Sequence, residues 1–229
     1  MIAEPDISGI AALMGEPSRA TMLVALLGKD ALPASELAHK ARVSPQTASS
    51  HLAKLVAGKL LAVERHGRHR YYRLATDQVG RFIETLASLA PPPRVSLLKE
   101  VDEEAKAIRY ARTCYDHLAG KVAVEIAHAM VSGGWLKRVG RNFEVTEAGE
   151  RRLGSLGIST EDIRQGRRAF ALQCLDWSER QHHIAGALGA ALLDRMLMLR
   201  WVARTKGMRC VRVTLEGRKA LQRLLKLRV

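Results

Sequence analysis

The side chains able to do chemistry gather in three stretches of the chain. Two of these echo each other: Cys114, Asp116 and His117 in one, Cys174, Asp176, His182 and His183 in the other. If the two stretches faced each other, thiols, carboxylates and imidazoles would converge. Such a set suits a transition metal or a thiol-reactive signal. The same residues also have ordinary uses, as small core cysteines, capping aspartates and packing histidines, and a small organic effector is a third reading. The remaining stretch is polar and basic. It comprises Ser44, Gln46, Thr47, Ser49, Ser50, His51 and Lys54, followed by Arg65, His66, Arg68, His69 and Arg70. Hydroxyls and an amide can hydrogen-bond base edges in a major groove, a lysine can reach a phosphate, and arginines can contact phosphates or enter a minor groove.

The elements that must position these groups follow from spacing. Ser44 is a good N-cap and Pro45 a good first residue for a helix over residues 44–57. Ala48, Leu52, Leu55 and Val56 form its apolar face, leaving the polar set on the other. His51 sits at the edge, either contacting a base or packing against the hairpin that follows. Gly58 ends this helix. Strands over 60–65 and 69–74 then flank a tip at His66-Gly67-Arg68, and Arg73 joins the cations of this wing. Upstream, residues 6–15 and 17–27 carry apolar residues at helical spacing, and a short helix runs over 35–41. Downstream, a helix spans about 76–90, and Pro91-Pro92-Pro93 cannot extend it. A linker helix over 97–112 leads to the second half.

That second half contains a repeat. Cys114-Tyr115-Asp116 matches Cys174-Leu175-Asp176, and His117-Leu118-Ala119-Gly120 matches His183-Ile184-Ala185-Gly186. Gly120 and Gly186 each precede a tryptophan, Trp135 or Trp201, by the same interval, and Val145-Thr146 and Val213-Thr214 each lead to a glycine, Gly149 or Gly217. Each copy, 113–157 and 173–227, reads as helix, strand, strand, helix, the last helix capped by Thr146 or Thr214. The copies are expected to pack about a pseudo-twofold axis, because so small a unit cannot bury its apolar face alone. Cys210 belongs to neither matched set.

Composition narrows the function. The chain has 229 residues, 47% hydrophobic and 26% charged, with a formal net charge of +14, which points to a polyanionic partner such as nucleic acid. Residues 42–73 hold seven Lys/Arg against one acid, Glu64, whereas the second half is basic throughout, which also admits an architectural DNA-binding protein that needs no effector. No run approaches the roughly 20 apolar residues of a membrane helix. The acidic start does not read as a signal peptide, and three dispersed cysteines do not make a disulfide scaffold, so a reducing cytoplasm is expected. No glycine-rich phosphate loop, Ser/His/Asp motif or HExxH spacing occurs; neither catalysis nor a bound cofactor is expected.

Three segments together are similar to the ArsR/SmtB winged-helix regulators: Leu13-Met14-Gly15-Glu16-Pro17-Ser18-Arg19, the run from Val43 to Leu52, and Gly67-Arg68-His69-Arg70-Tyr71-Tyr72. The resemblance covers about residues 6–90. It implies a homodimer built from the first helix and the helix after the wing, a near-palindromic double-stranded operator, and release by an effector, most members being repressors. The familiar metal positions of that family are not filled here. Residues 32–41 contain no cysteine, and 77–84 contain no histidine. The expected architecture is mainly α with small β-hairpins. It comprises an N-terminal winged helix-turn-helix over 1–90, a linker over 91–112, and a C-terminal tandem of winged-helix-like halves over 113–229. Any switch is expected in that tandem half.

Overall fold

The computed structural model describes residues 5, 7–27, 31–66, 69–91, 103–205 and 209–229. The chain divides into two compact units, Met1–Glu84 and Thr85–Val229. That division falls within the helix over 77–89, a few residues before Pro91; Pro92, Pro93 and residues 97–102 of the expected linker helix lie outside the described residues.

The first unit is a winged helix. Helices α1 (Ser8–Met14), α2 (Pro17–Ala25), α3 (Ala34–Ala41) and α4 (Pro45–Ala57) precede the hairpin of β2 (Leu61–His66) and β3 (His69–Leu74), and α5 (Asp77–Leu89) follows it. Local chemistry sets the starts. The Glu16 carboxylate accepts from the Ser18 and Arg19 amides ahead of Pro17, and the Ser44 hydroxyl accepts from the Thr47 amide ahead of Pro45. Between α3 and α4 the chain turns at Arg42, which adopts a left-handed conformation with φ of 53°. Met22, Leu23, Leu26, Leu27, Leu37, Leu52 and Leu55 close the core beneath the wing, with Leu60, Leu61 and Tyr72. A two-residue strand, β1 (Leu32–Pro33), adds an edge to the wing through Leu32 opposite Tyr72. Two residues carry no periodicity to read, and a proline is tolerated only because the strand is an edge.

In the second unit, which takes in the last turn of α5, the next described helix is α6 (Glu103–Tyr110). Arg112, expected at the end of a helix, instead opens strand β4 (Arg112–Cys114), which pairs with β5 (His117–Ala119). Then come α7 (Lys121–Ser132), the hairpin β6 (Leu136–Val139) and β7 (Asn142–Val145), α8 (Glu147–Ser155) and the short α9 (Thr160–Arg164). The order hairpin, helix, hairpin, helix then recurs as β8 (Leu172–Leu175), β9 (His182–Ala185), α10 (Gly186–Met198), β10 (Val202–Arg204), β11 (Val211–Val213) and α11 (Leu215–Leu225). Each series therefore opens with a hairpin that the sequence did not announce. Strands of three or four residues are too short for alternation to show.

Corresponding positions make corresponding bonds. The Phe143 amide donates to Ala171 O (3.0 Å) and the Gln173 amide to Arg141 O (3.0 Å); likewise Val211 donates to Ala111 O (2.9 Å) and Thr113 to Arg209 O (3.0 Å). Thr146 accepts from the Gly149 amide and Thr214 from the Gly217 amide. A Cβ on Gly149 would lie 2.0 Å from Trp135 O, and one on Gly217 would lie 2.0 Å from Trp201 O. Both positions therefore demand glycine. Core residues from α7 and α10, including Val122, Ile126, Met130, Leu188, Leu193 and Met196, join Trp135, Phe143 and Val211 in one cluster. Among the described residues no helix is long and apolar enough to cross a membrane.

Candidate functional sites: a nucleic-acid face and a cysteine–histidine cluster

Helix α4 buries Ala48, Leu52 and Leu55, so its opposite side must face solvent. Gln46, Thr47, Ser49, Ser50 and Lys54 are all exposed there. Ser44 is exposed too, but its hydroxyl is occupied by the Thr47 amide (3.1 Å) and the Thr47 hydroxyl (2.9 Å). On the wing, Arg65 and Arg70 are direct cross-strand partners and both are exposed. Like charges placed opposite each other repel. Among the described residues neither has an acidic partner, so both charges are free to meet an anion from outside. Arg73 differs, because its Nε donates to Glu64 at 2.5 Å. His66 and His69 pair at the end of the hairpin; Arg68 and Gly67 lie outside the described residues, as do the side chains of His66 and His69.

The other site is assembled by two hairpins. Cys114 and His117 are directly opposed across β4 and β5, and Cys174 and His183 are directly opposed across β8 and β9. Opposed residues share a face of a sheet, so each hairpin presents one thiol and one imidazole together. The two faces meet. Cys114 Sγ lies 3.9 Å from Cys174 Sγ, and His117 Nε2 lies 3.2 Å from His183 Nε2. The four ligand atoms all fall within 4.8 Å of one another. Cys114, His117 and His183 are buried, and Cys174 is partly exposed.

Carboxylates stand behind both rings. Asp116 Oδ1 lies 3.1 Å from His117 Nδ1, and the Arg168 guanidinium donates to the same carboxylate. Asp176 Oδ2 lies 3.4 Å from His183 Nδ1, an ion-pair distance that lacks the alignment of a hydrogen bond. Asp176 is itself fully buried and held by Arg112 (3.0 Å) and the Gly120 amide (2.7 Å). Burial opposes its charge, yet His183, Arg112, Ser178 and the Gly120 amide hold the Asp176 carboxyl well below the usual carboxylate range. Burial likewise opposes a charge on His117, but its contacts with Asp116 and Cys114 prevail and raise it to about 9. The centre of the cluster thus favours a positive charge.

Comparison with known proteins agrees with the first unit and covers the whole chain. A family described as a helix-turn-helix domain matches residues 14–64. The HTH-type transcriptional regulator YdfF of Bacillus subtilis is 51% identical over 225 residues, spanning 98% of this chain and 99% of its own. The chain belongs to the HTH-type transcriptional regulators. The nodulation protein NolR of Rhizobium meliloti is 30% identical over 82 residues, 36% of this regulator and 66% of that protein. Among solved structures, NolR from Sinorhizobium fredii is 25% identical, covers 39% of the regulator and 95% of its own chain, and gives a TM-score of 0.35. Reduced HlyU from Vibrio cholerae is 27% identical, covers 35% of the regulator and 84% of its own chain, and gives 0.33.

Three expectations about the regulator's site residues are corrected by geometry. His51 turns its ring toward the start of α2: its Nδ1 lies 3.5 Å from Arg19 and 3.7 Å from Glu16. His182 stays out of the cluster because it neighbours His183 along β9, and successive strand residues point to opposite faces. Burial, Arg138 and His183 lower its pKa. Asp116 and Asp176 cap no helix; one sits in the β4–β5 turn and the other in the loop before β9. Sequence reasoning missed Arg112, whose buried guanidinium also stacks 4.3 Å over the Trp177 ring. It missed Gly189 as well, where a Cβ would lie 3.1 Å from His117 Cβ. No local pattern marks an arginine buried on a three-residue strand.

Proposed function

We propose that the chain is a sequence-specific transcriptional repressor of the cytoplasm that binds a near-palindromic operator as a homodimer and is released by an effector acting on its C-terminal unit. The observation that carries DNA recognition is the exposed polar face of α4 beside the unpaired Arg65–Arg70 couple of the wing. Gln46, Thr47, Ser49 and Ser50 read base edges in the major groove, while Lys54, Arg65 and Arg70 hold phosphates, with Arg68, His66 and His69 completing the tip. The homodimer reading is supported by apolar side chains left exposed on α1 and α5, among them Ile10, Phe82 and Leu89. We further infer that the C-terminal unit is a tandem duplication whose halves close about a pseudo-twofold axis. Its support is the recurring element order, the matched hydrogen bonds and the paired Trp–Gly contacts.

The test is fluorescence anisotropy with duplex DNA across a salt series. Replacing Arg65 and Arg70 together by Ala is expected to weaken operator and random DNA alike. It should also flatten the log–log salt slope by about 3.6 for the dimer, roughly 0.9 for each of the four phosphates no longer neutralised. Unchanged affinity and slope would remove the wing from the interface.

A further inference from the structure

We propose that Cys114, His117, Cys174 and His183 form a closed tetrahedral Cys2His2 site for one divalent transition-metal ion, zinc foremost, that joins the β4–β5 hairpin to the β8–β9 hairpin. The inference goes beyond the DNA-binding reading and stands without it, since it rests on the C-terminal unit alone.

The distances carry it first. Zinc binds thiolate sulfur at about 2.3 Å and imidazole nitrogen at about 2.0–2.1 Å, so a regular tetrahedron has an S···S edge near 3.8 Å and an N···N edge near 3.3 Å, to within about 0.1 Å. The observed edges are 3.9 Å and 3.2 Å. Neither pair was brought close by local sequence, because each edge spans two hairpins some sixty residues apart.

The surroundings agree. Asp116 and Asp176 face the two Nδ1 atoms, which favours the proton there and turns both Nε2 lone pairs inward, the arrangement typical of histidine ligands. The two Nε2 atoms, 3.2 Å apart, need a proton or a metal cation between them, and the metal takes the place of the proton. Charge also balances. Two thiolates neutralise a divalent ion, and each carboxylate behind a ring has its own arginine, Arg168 or Arg112. No oxygen ligand belongs to the set, which disfavours calcium and magnesium. Four protein ligands leave no open position, so the ion is structural or regulatory and not a Lewis-acid catalyst. A disulfide fits less well. Its sulfurs lie about 2.05 Å apart, and it would leave the facing imidazoles without a purpose. Binding releases the protons of the two thiols and the extra proton of the His117 ring to solvent. Partly exposed Cys174 gives the ion a side from which to exchange.

The experiment uses the full-length chain. Metal-stripped protein is titrated with Co(II), then with Zn(II), and elemental analysis gives the stoichiometry. One ion per chain is expected, with the strong visible absorption of four-coordinate cobalt and thiolate-to-cobalt charge transfer, both displaced by zinc. Cys114→Ser with Cys174→Ser, and separately His117→Asn with His183→Asn, should abolish this signal, whereas Cys210→Ser should keep it. Folding of the variants is not needed for a second readout: in the wild-type chain zinc should slow N-ethylmaleimide labelling of Cys114 and Cys174, and a chelator should restore it. Absence of stoichiometric metal, retention of metal in both double variants, labelling indifferent to zinc, or a Cys114–Cys174 disulfide in place of bound metal would each overturn the proposal. DNA binding is read in none of these assays, so their failure leaves the operator reading untouched.

Discussion

The two units keep their chemistry in opposite places. In the first, the polar side chains that matter lie on the outside of one helix and one hairpin, within thirty residues of each other, and the core beneath them is built from apolar side chains. In the second, Cys114, His117, His183, Asp176 and Arg112 are buried, with Cys174 and Asp116 partly so, and these groups must largely satisfy one another. An exposed face is held by backbone geometry and costs little to alter. A buried polar network is held by mutual pairing, so losing one member strands the others.

The sharpest break of that contrast is at Asp176. Its carboxylate and the Arg112 side chain are both fully buried and 3.0 Å apart. Asp176→Ala leaves a buried guanidinium unpaired, and the expected loss is about 3–5 kcal/mol in the C-terminal unit. Urea denaturation followed by tryptophan fluorescence reads it, because Trp135, Trp177 and Trp201 all lie in that unit. A loss below about 1 kcal/mol would mean the network is not cooperative.

Next in size are the paired glycines. Gly149→Ala and Gly217→Ala each force a methyl against a tryptophan carbonyl, and each should cost about 1–3 kcal/mol. The tandem reading requires the two losses to be similar. One large and one negligible loss would count against it.

The smallest effect belongs to the first unit. Glu16 is partly exposed; burial works against its charge, but the Ser18 and Arg19 amides and His51 lower its pKa. Glu16→Gln should cost about 1 kcal/mol at neutral pH. The folded carboxyl titrates below its unfolded value, so its contribution is present above the unfolded pKa and lost as the pH falls through the folded one. Wild-type and variant stabilities should therefore converge in acid; a constant gap would assign the effect to packing.

Much of the first unit was legible because its signals are local. Ser44-Pro45 announces a helix start, Gly58 its end, and four apolar positions between them fix which side is buried; the exposed side follows by subtraction. The edge strand Leu32–Pro33 was hidden, being too short to show a period. In the second unit the sequence displayed that Cys-x-Asp recurs and that glycine, tryptophan and threonine keep their intervals. It did not display the opening hairpins or the buried Arg112.

The sequence by itself determined the winged helix, its polar and basic face, and the two echoing sets of thiol, carboxylate and imidazole. Only the tertiary structure decided how those sets are used. It took His183 and rejected His182, because strand pairing puts alternate residues on opposite faces. It turned His51 toward Glu16 and Arg19 and set Arg112 against Asp176, a partner sixty-four residues away. Spacing along a chain fixes neighbours within an element, whereas convergence depends on which faces the hydrophobic core brings together.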